Sequence, residues 1–60
     1  MRALVIHLAA TEEAVIEEVS DDGRRVVAAT AGGERIVFTL RRATGRYHAA
    51  GHGPRLKLLP

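Results

Sequence analysis

The stretch RRVVAATAGGERIVFTLRR, residues 24–42, decides the fold class of this 60-residue chain. Its first half is rich in β-branched residues, and its second half alternates, with Ile36, Phe38 and Leu40 on one side. The glycine pair at 32–33 separates the halves, where a tight turn needs residues that tolerate positive φ. The pattern therefore predicts a β-hairpin.

Extended segments continue on the C-terminal side of this hairpin. A turn at 43–45 is followed by RYHAA (46–50), which predicts a second hairpin. The tail RLKLL (55–59) alternates again, and Pro54 suits the start of a strand, where its missing N–H does least harm. We expect residues 51–54 to form a loop.

The N-terminal third fits two structures. Residues 3–8 alternate as a strand, whereas TEEAVIEEVS (11–20) could be a strand or a short helix with Thr11 as its N-cap. Asp21 and Asp22 would oppose the dipole at the end of such a helix. Asp22 followed by glycine is instead a strong hairpin signal, so we favour the strand.

These segments predict an all-β fold for residues 1–60 as one domain, with five to six short strands closing into an SH3-like barrel or sandwich. An α+β fold with a short helix at about 11–20 is the alternative. A core this small is marginal, and the chain has no cysteine for a disulfide, so self-association is the expected supplement. The expected core comprises the apolar residues of the alternating segments: Leu4, Ile6, Leu8, Val15, Val19, Val26, Ile36, Phe38, Leu40, Tyr47, Leu56 and Leu58.

Charge is unevenly distributed along the chain. Six of the seven acidic residues lie in 12–22, and six of the nine basic residues lie in 35–60, where there is no acid. Acidic and basic strands could lie side by side and neutralise each other, within a subunit or across a dimer. Alternatively, they form opposite faces, and the basic face attracts a polyanion. The sequence alone favours neutralisation.

The stretch RRATGRYH (41–48) is the candidate polyanion contact. Arginines that meet phosphates, together with a ring on which a base stacks, are typical of barrels that bind single strands. The chain is poor in aromatic residues, so a charged turn without a partner is the favoured interpretation. The candidate contact residues are Arg41, Arg42, Arg46, Tyr47, His48, Arg55 and Lys57, with Arg24, Arg25 and Arg35 as further phosphate contacts.

Catalytic and metal motifs are weak. The chain has no cysteine and only one serine, Ser20, which has no glycine-flanked elbow around it. The carboxylates of 12–22 are expected to be solvated. His7, His48 and His52 could bind a metal only if the fold brings them together, and we expect no cofactor.

These observations predict a non-enzymatic β module that acts through protein association, as a homodimer or as a subunit of an assembly. The first alternative is a nucleic-acid-binding barrel that uses the basic hairpin around residues 41–48. The second alternative is a protein that binds a small ligand or a metal through its histidines. The apolar run 3–10 is too short for a membrane span and is expected to belong to the mature fold. We expect the protein to be cytoplasmic.

Overall fold

The computed structural model describes residues 1–51 and 53–60, and these form six strands and no helix. The strands are β1 (Arg2–Ile6), β2 (Thr11–Val19), β3 (Arg25–Thr30), β4 (Arg35–Arg41), β5 (Arg46–Ala49) and β6 (Arg55–Leu58). Each strand pairs antiparallel with the next, and β6 pairs back with β1, which closes a barrel of 27 × 22 × 21 Å. The all-β prediction is confirmed, and the arrangement is consistent with a small SH3-like barrel. The helical alternative for 11–20 is wrong.

Among the described residues there is consequently no helix that could cross a membrane.

The barrel interior is filled mostly by small side chains. Phe38 is fully buried, and the other residues of the buried apolar core are alanine, valine and leucine. The interior of a small barrel has room for only a few large side chains, so small residues must fill the remaining positions. The residues that share this core with Phe38 are Ala3, Val5, Ala14, Val26, Ala28, Ala49 and Leu56, with Ile16, Ile36 and Tyr47 packed against it.

The expected core is therefore right for β3 to β5 and for Leu56 of β6, and wrong for β1 and β2. Val26, Phe38 and Leu56 are buried as expected, and Leu40 is half-buried. Alternation in a strand defines two faces but does not say which one is inside. In β1 the smaller face, with Ala3 and Val5, is inside because the narrow interior cannot hold two more large side chains. The expected core residues that lie outside or at the barrel ends are Leu4, Ile6, Leu8, Val15, Val19 and Leu58.

A β-bulge in β2 changes the alternation within that strand. The pairing with β3 shifts between Ile16 and Glu18, so that Glu17 is an extra residue on the β2 side. Ile16 packs against the core, whereas Val15 is 54% exposed on the outer face. A strict period of two cannot anticipate this shift.

The β2–β3 turn is held by the side chains of Ser20 and Asp22. The Ser20 hydroxyl donates to Asp22 Oδ1 at 2.6 Å, and the backbone N–H of Arg24 donates to the same oxygen at 3.0 Å. The backbone N–H of Arg25 donates to Ser20 Oγ at 3.0 Å. The pKa of Asp22 is lower than its ordinary value of 3.8 because both hydrogen bonds favour the charged carboxylate. The bond from the Ser20 hydroxyl has the larger effect, and the bond from the Arg24 N–H has the smaller one.

Replacing Phe38 with alanine tests the assignment of inner and outer positions. Phe38→Ala should cost about 3–5 kcal/mol, which is the whole stability expected of a chain this small, so the variant should be unfolded. Val37→Ala is the matched control, because Val37 is 48% exposed on the other face of β4; it should cost at most about 1 kcal/mol. Circular dichroism during thermal unfolding measures both. Equal losses would contradict the assignment.

Replacing Asp22 with asparagine tests the turn. The stability that Asp22 contributes is present above pH 3.8 and is lost as the pH falls through its lowered folded-state pKa. Asp22→Asn should therefore be less stable than wild type at pH 7, and the two should converge in acid. Asp21→Asn removes the same charge from a neighbour in the same turn, so it should have little effect at either pH. Urea unfolding at several pH values measures the differences, and a gap that persists in acid would contradict the role of the carboxylate.

Candidate functional site

The outer surface of β4, β5 and β6 carries a cluster of cations. Arg41 lies directly opposite Arg46. Tyr47 pairs with Leu56, and the residues next to them, Arg46 and Lys57, line one depression of the surface. Adjacent strands are roughly 4.8 Å apart, so Arg41, Arg46 and Lys57 form a row about 10 Å long across three strands. Lys57 in turn pairs with Leu4 of β1.

A second row runs parallel to the first. Thr39 pairs with His48, His48 with Arg55, and Arg55 with Ile6. The two rows together define the basic face: Arg41, Arg46, His48, Arg55 and Lys57.

His48 contributes to the basic face as a neutral imidazole. Partial desolvation lowers its pKa below 6.5, and the guanidinium groups of Arg41, Arg55 and Arg46 lower it further. Its Nε2 lies 3.3 Å from the hydroxyl oxygen of Thr44. Arg41 and Arg55 line the same groove as His48, and the arginines and Lys57 carry the positive charge of the basic face.

An open groove of about 660 Å³ runs along the second row. It is lined by Arg41, His48 and Arg55 and by two apolar side chains, Ile6 of β1 and Leu8 of the β1–β2 turn. A smaller adjoining depression of about 340 Å³ is lined by Ile6 together with Arg46, Arg55, Leu56 and Lys57. The site thus combines cationic and aliphatic surfaces.

The acidic strand lies on the far side of the barrel. β2 pairs with β1 and β3, whereas β5 pairs with β4 and β6, so β2 and β5 are opposite each other in the ring. Glu13 contacts Arg2 at 3.5 Å, and Glu17 contacts Arg35 at 2.7 Å. Within residues 1–51 and 53–60, no carboxylate pairs with a cation of the basic face. The expected neutralisation by side-by-side strands is therefore wrong for this cluster within the chain.

Two of the residues expected to contact a polyanion, Arg42 and Tyr47, do not belong to the basic face. Arg42 is exposed in the turn between β4 and β5, beyond the end of the first row. Tyr47 is half-buried and packs against the core, and its hydroxyl donates to the carbonyl of Gly23 at 2.6 Å. Its ring is therefore not on the basic face. Sequence reasoning does not identify Ile6 and Leu8 as site residues, because it assigns both to the core.

The histidines are not gathered into a metal centre in the described part of the chain. His7 Nε2 contacts Glu12 Oε2 at 2.9 Å, and His7 and His48 both line the groove. No group of three His, Asp or Glu side chains among the described residues could hold a metal ion. His52, the third histidine of that hypothesis, lies outside the described residues.

Comparison of the chain with known protein families, curated proteins and solved structures finds no match. The geometry of the basic face and its groove is therefore the basis for a functional assignment.

Replacing Tyr47 with phenylalanine separates its structural role from a stacking role. Tyr47→Phe should lower the free energy of unfolding by about 1 kcal/mol, because it removes the bond to Gly23 and keeps the ring. Affinity for any oligonucleotide should not change, and the same should hold for Tyr47→Leu in the fraction that remains folded. Urea unfolding and fluorescence anisotropy measure the two quantities. A loss of affinity in the folded fraction of Tyr47→Leu, with the affinity of Tyr47→Phe unchanged, would show that the ring contacts the ligand.

Proposed function

We propose that this protein is a non-enzymatic nucleic-acid-binding module and that the basic face is its contact surface. The observation that carries the proposal is the row of Arg41, Arg46 and Lys57 on three adjacent strands, flanked by Arg55 and without a carboxylate partner among the described residues. A cytoplasmic location stays a prediction.

The energetics of folding support an external partner for these cations. Like charges directly opposite each other destabilise a sheet, and Arg41 and Arg46 are such a pair. A bound chain of phosphates would compensate this repulsion and release counterions.

The chemistry of the cations favours phosphate as the bound group. Three of the four charged residues of the basic face are arginines, whose planar guanidinium groups form bidentate hydrogen bonds with phosphate oxygens. Phosphate contacts of this kind position a nucleic acid without reading its sequence. We therefore expect binding with little sequence preference.

Removing two of these cations tests the proposal. Arg46→Gln combined with Arg55→Gln should reduce the salt slope for a single strand by about 1.4, which corresponds to roughly twentyfold weaker binding at 0.1 M salt. The same substitutions should not lower the thermal midpoint, because Arg46 faces another arginine. Fluorescence anisotropy with a labelled mixed-sequence oligonucleotide, over a range of salt concentrations, measures the slope.

Arg2→Gln combined with Arg35→Gln is the matched control. It removes the same net charge, but from residues that pair with carboxylates of β2. The control should keep most of the affinity. Equal losses in both double variants would show that net charge alone attracts the ligand. Poly-glutamate that displaces the oligonucleotide at equal charge would point instead to an acidic protein as the partner.

Self-association is a second candidate function, favoured by apolar residues on the outer face of β2 to β4. Val15 and Val37 are 54% and 48% exposed there, on either side of β3. Exposed apolar surface of this kind is common at interfaces, and a 60-residue core gains stability from a second copy. A homodimer or a subunit of a larger assembly would be detected by light scattering at high micromolar concentration, where a stable monomer excludes the homodimer.

A further inference from the structure

The groove has an aliphatic side that a purely electrostatic site does not need. Leu8 is fully exposed in the β1–β2 turn, and it lines the same groove as Arg41 and Arg55. Ile6 pairs directly with Arg55, and both Ile6 and Pro54 line the groove. Aliphatic side chains therefore lie next to the cations that would bind phosphates.

Exposure of Leu8 has no explanation in the fold. A fully exposed leucine contributes little to the stability of the fold, because an apolar side chain stabilises the folded state only when it is buried. The residue lies in a turn, a position where polar residues are usual. A ligand that covers Leu8 would remove this surface from water.

Duplex and single-stranded nucleic acids differ in what they offer to such a groove. In a duplex the base faces are stacked inside, and the outside presents sugars and phosphates. In a single strand the bases can be splayed out and packed against side chains while the backbone follows a positive groove. Only the single strand fills both surfaces of the groove at once.

We propose that the groove binds single-stranded nucleic acid, with the backbone on Arg41 and Arg55 and an unstacked base on Ile6, Leu8 and Pro54. This inference rests on the proposed nucleic-acid function and specifies the ligand class of the same site. The aliphatic surface replaces the aromatic platform used by many single-strand binders, which this chain lacks because Tyr47 packs against the core.

Three probes distinguish the sources of affinity: a 12-nucleotide mixed-sequence single strand, the same strand annealed to its complement, and inorganic polyphosphate of similar charge. Each is titrated at low and at moderate salt against wild type, Leu8→Ser and Val15→Thr. Val15→Thr is the control, because Val15 is exposed on the opposite side of the barrel. Both substitutions affect exposed side chains, so the fold should persist.

The single strand should bind wild type at least about fivefold more tightly than the duplex or polyphosphate. Leu8→Ser should lower affinity for the single strand about fivefold, corresponding to partial burial of one leucine, and leave polyphosphate binding unchanged. Val15→Thr should change neither. Equal affinity for duplex and single strand, or an unchanged affinity of Leu8→Ser, would overturn the single-strand inference while leaving the nucleic-acid function in place. Absence of salt-dependent binding to all three probes would overturn both.

Discussion

Pairing of the first and last strands is the constraint on which the rest of this structure depends. Val5 opposite Leu56 and Ile6 opposite Arg55 join β1 to β6 and leave no open sheet edge. Closing six short strands makes the interior narrow, so Phe38 occupies its centre and alanines fill much of the remainder. Larger apolar side chains of β1 are consequently outside, where they border the basic face.

Strand order also determines how charge is distributed over the surface. A meander that closes on itself puts β2 and β5 on opposite sides, so the carboxylates of β2 lie away from the basic face. Arg2 and Arg35 pair with β2 carboxylates, but the arginines around His48 do not. The segregation seen along the sequence becomes a segregation in space, and the repulsion that remains on the basic face is the main argument for an anionic ligand.

Much of the fold could be predicted from local patterns. Turn residues such as Asp22 and Gly33 mark the hairpins, and alternation around Phe38 identifies its strand correctly. The inner face of β1 could not be predicted, because it depends on the space inside a closed barrel. Similarly, the basic residues of the site and the core position of Tyr47 were recognised from the sequence, whereas the exposed position of Leu8 follows only from closure of the barrel.

The most direct test of this account is a map of the ligand on the barrel surface. Amide chemical shifts recorded during titration with a short single strand, at low and moderate salt, should change on β4 to β6 and in the β1–β2 turn around Leu8. The changes should weaken with salt and leave the outer face of β2 unaffected. Shifts centred on β2, or a spectrum that does not change at low salt, would contradict the claim that strand order creates a nucleic-acid-binding face.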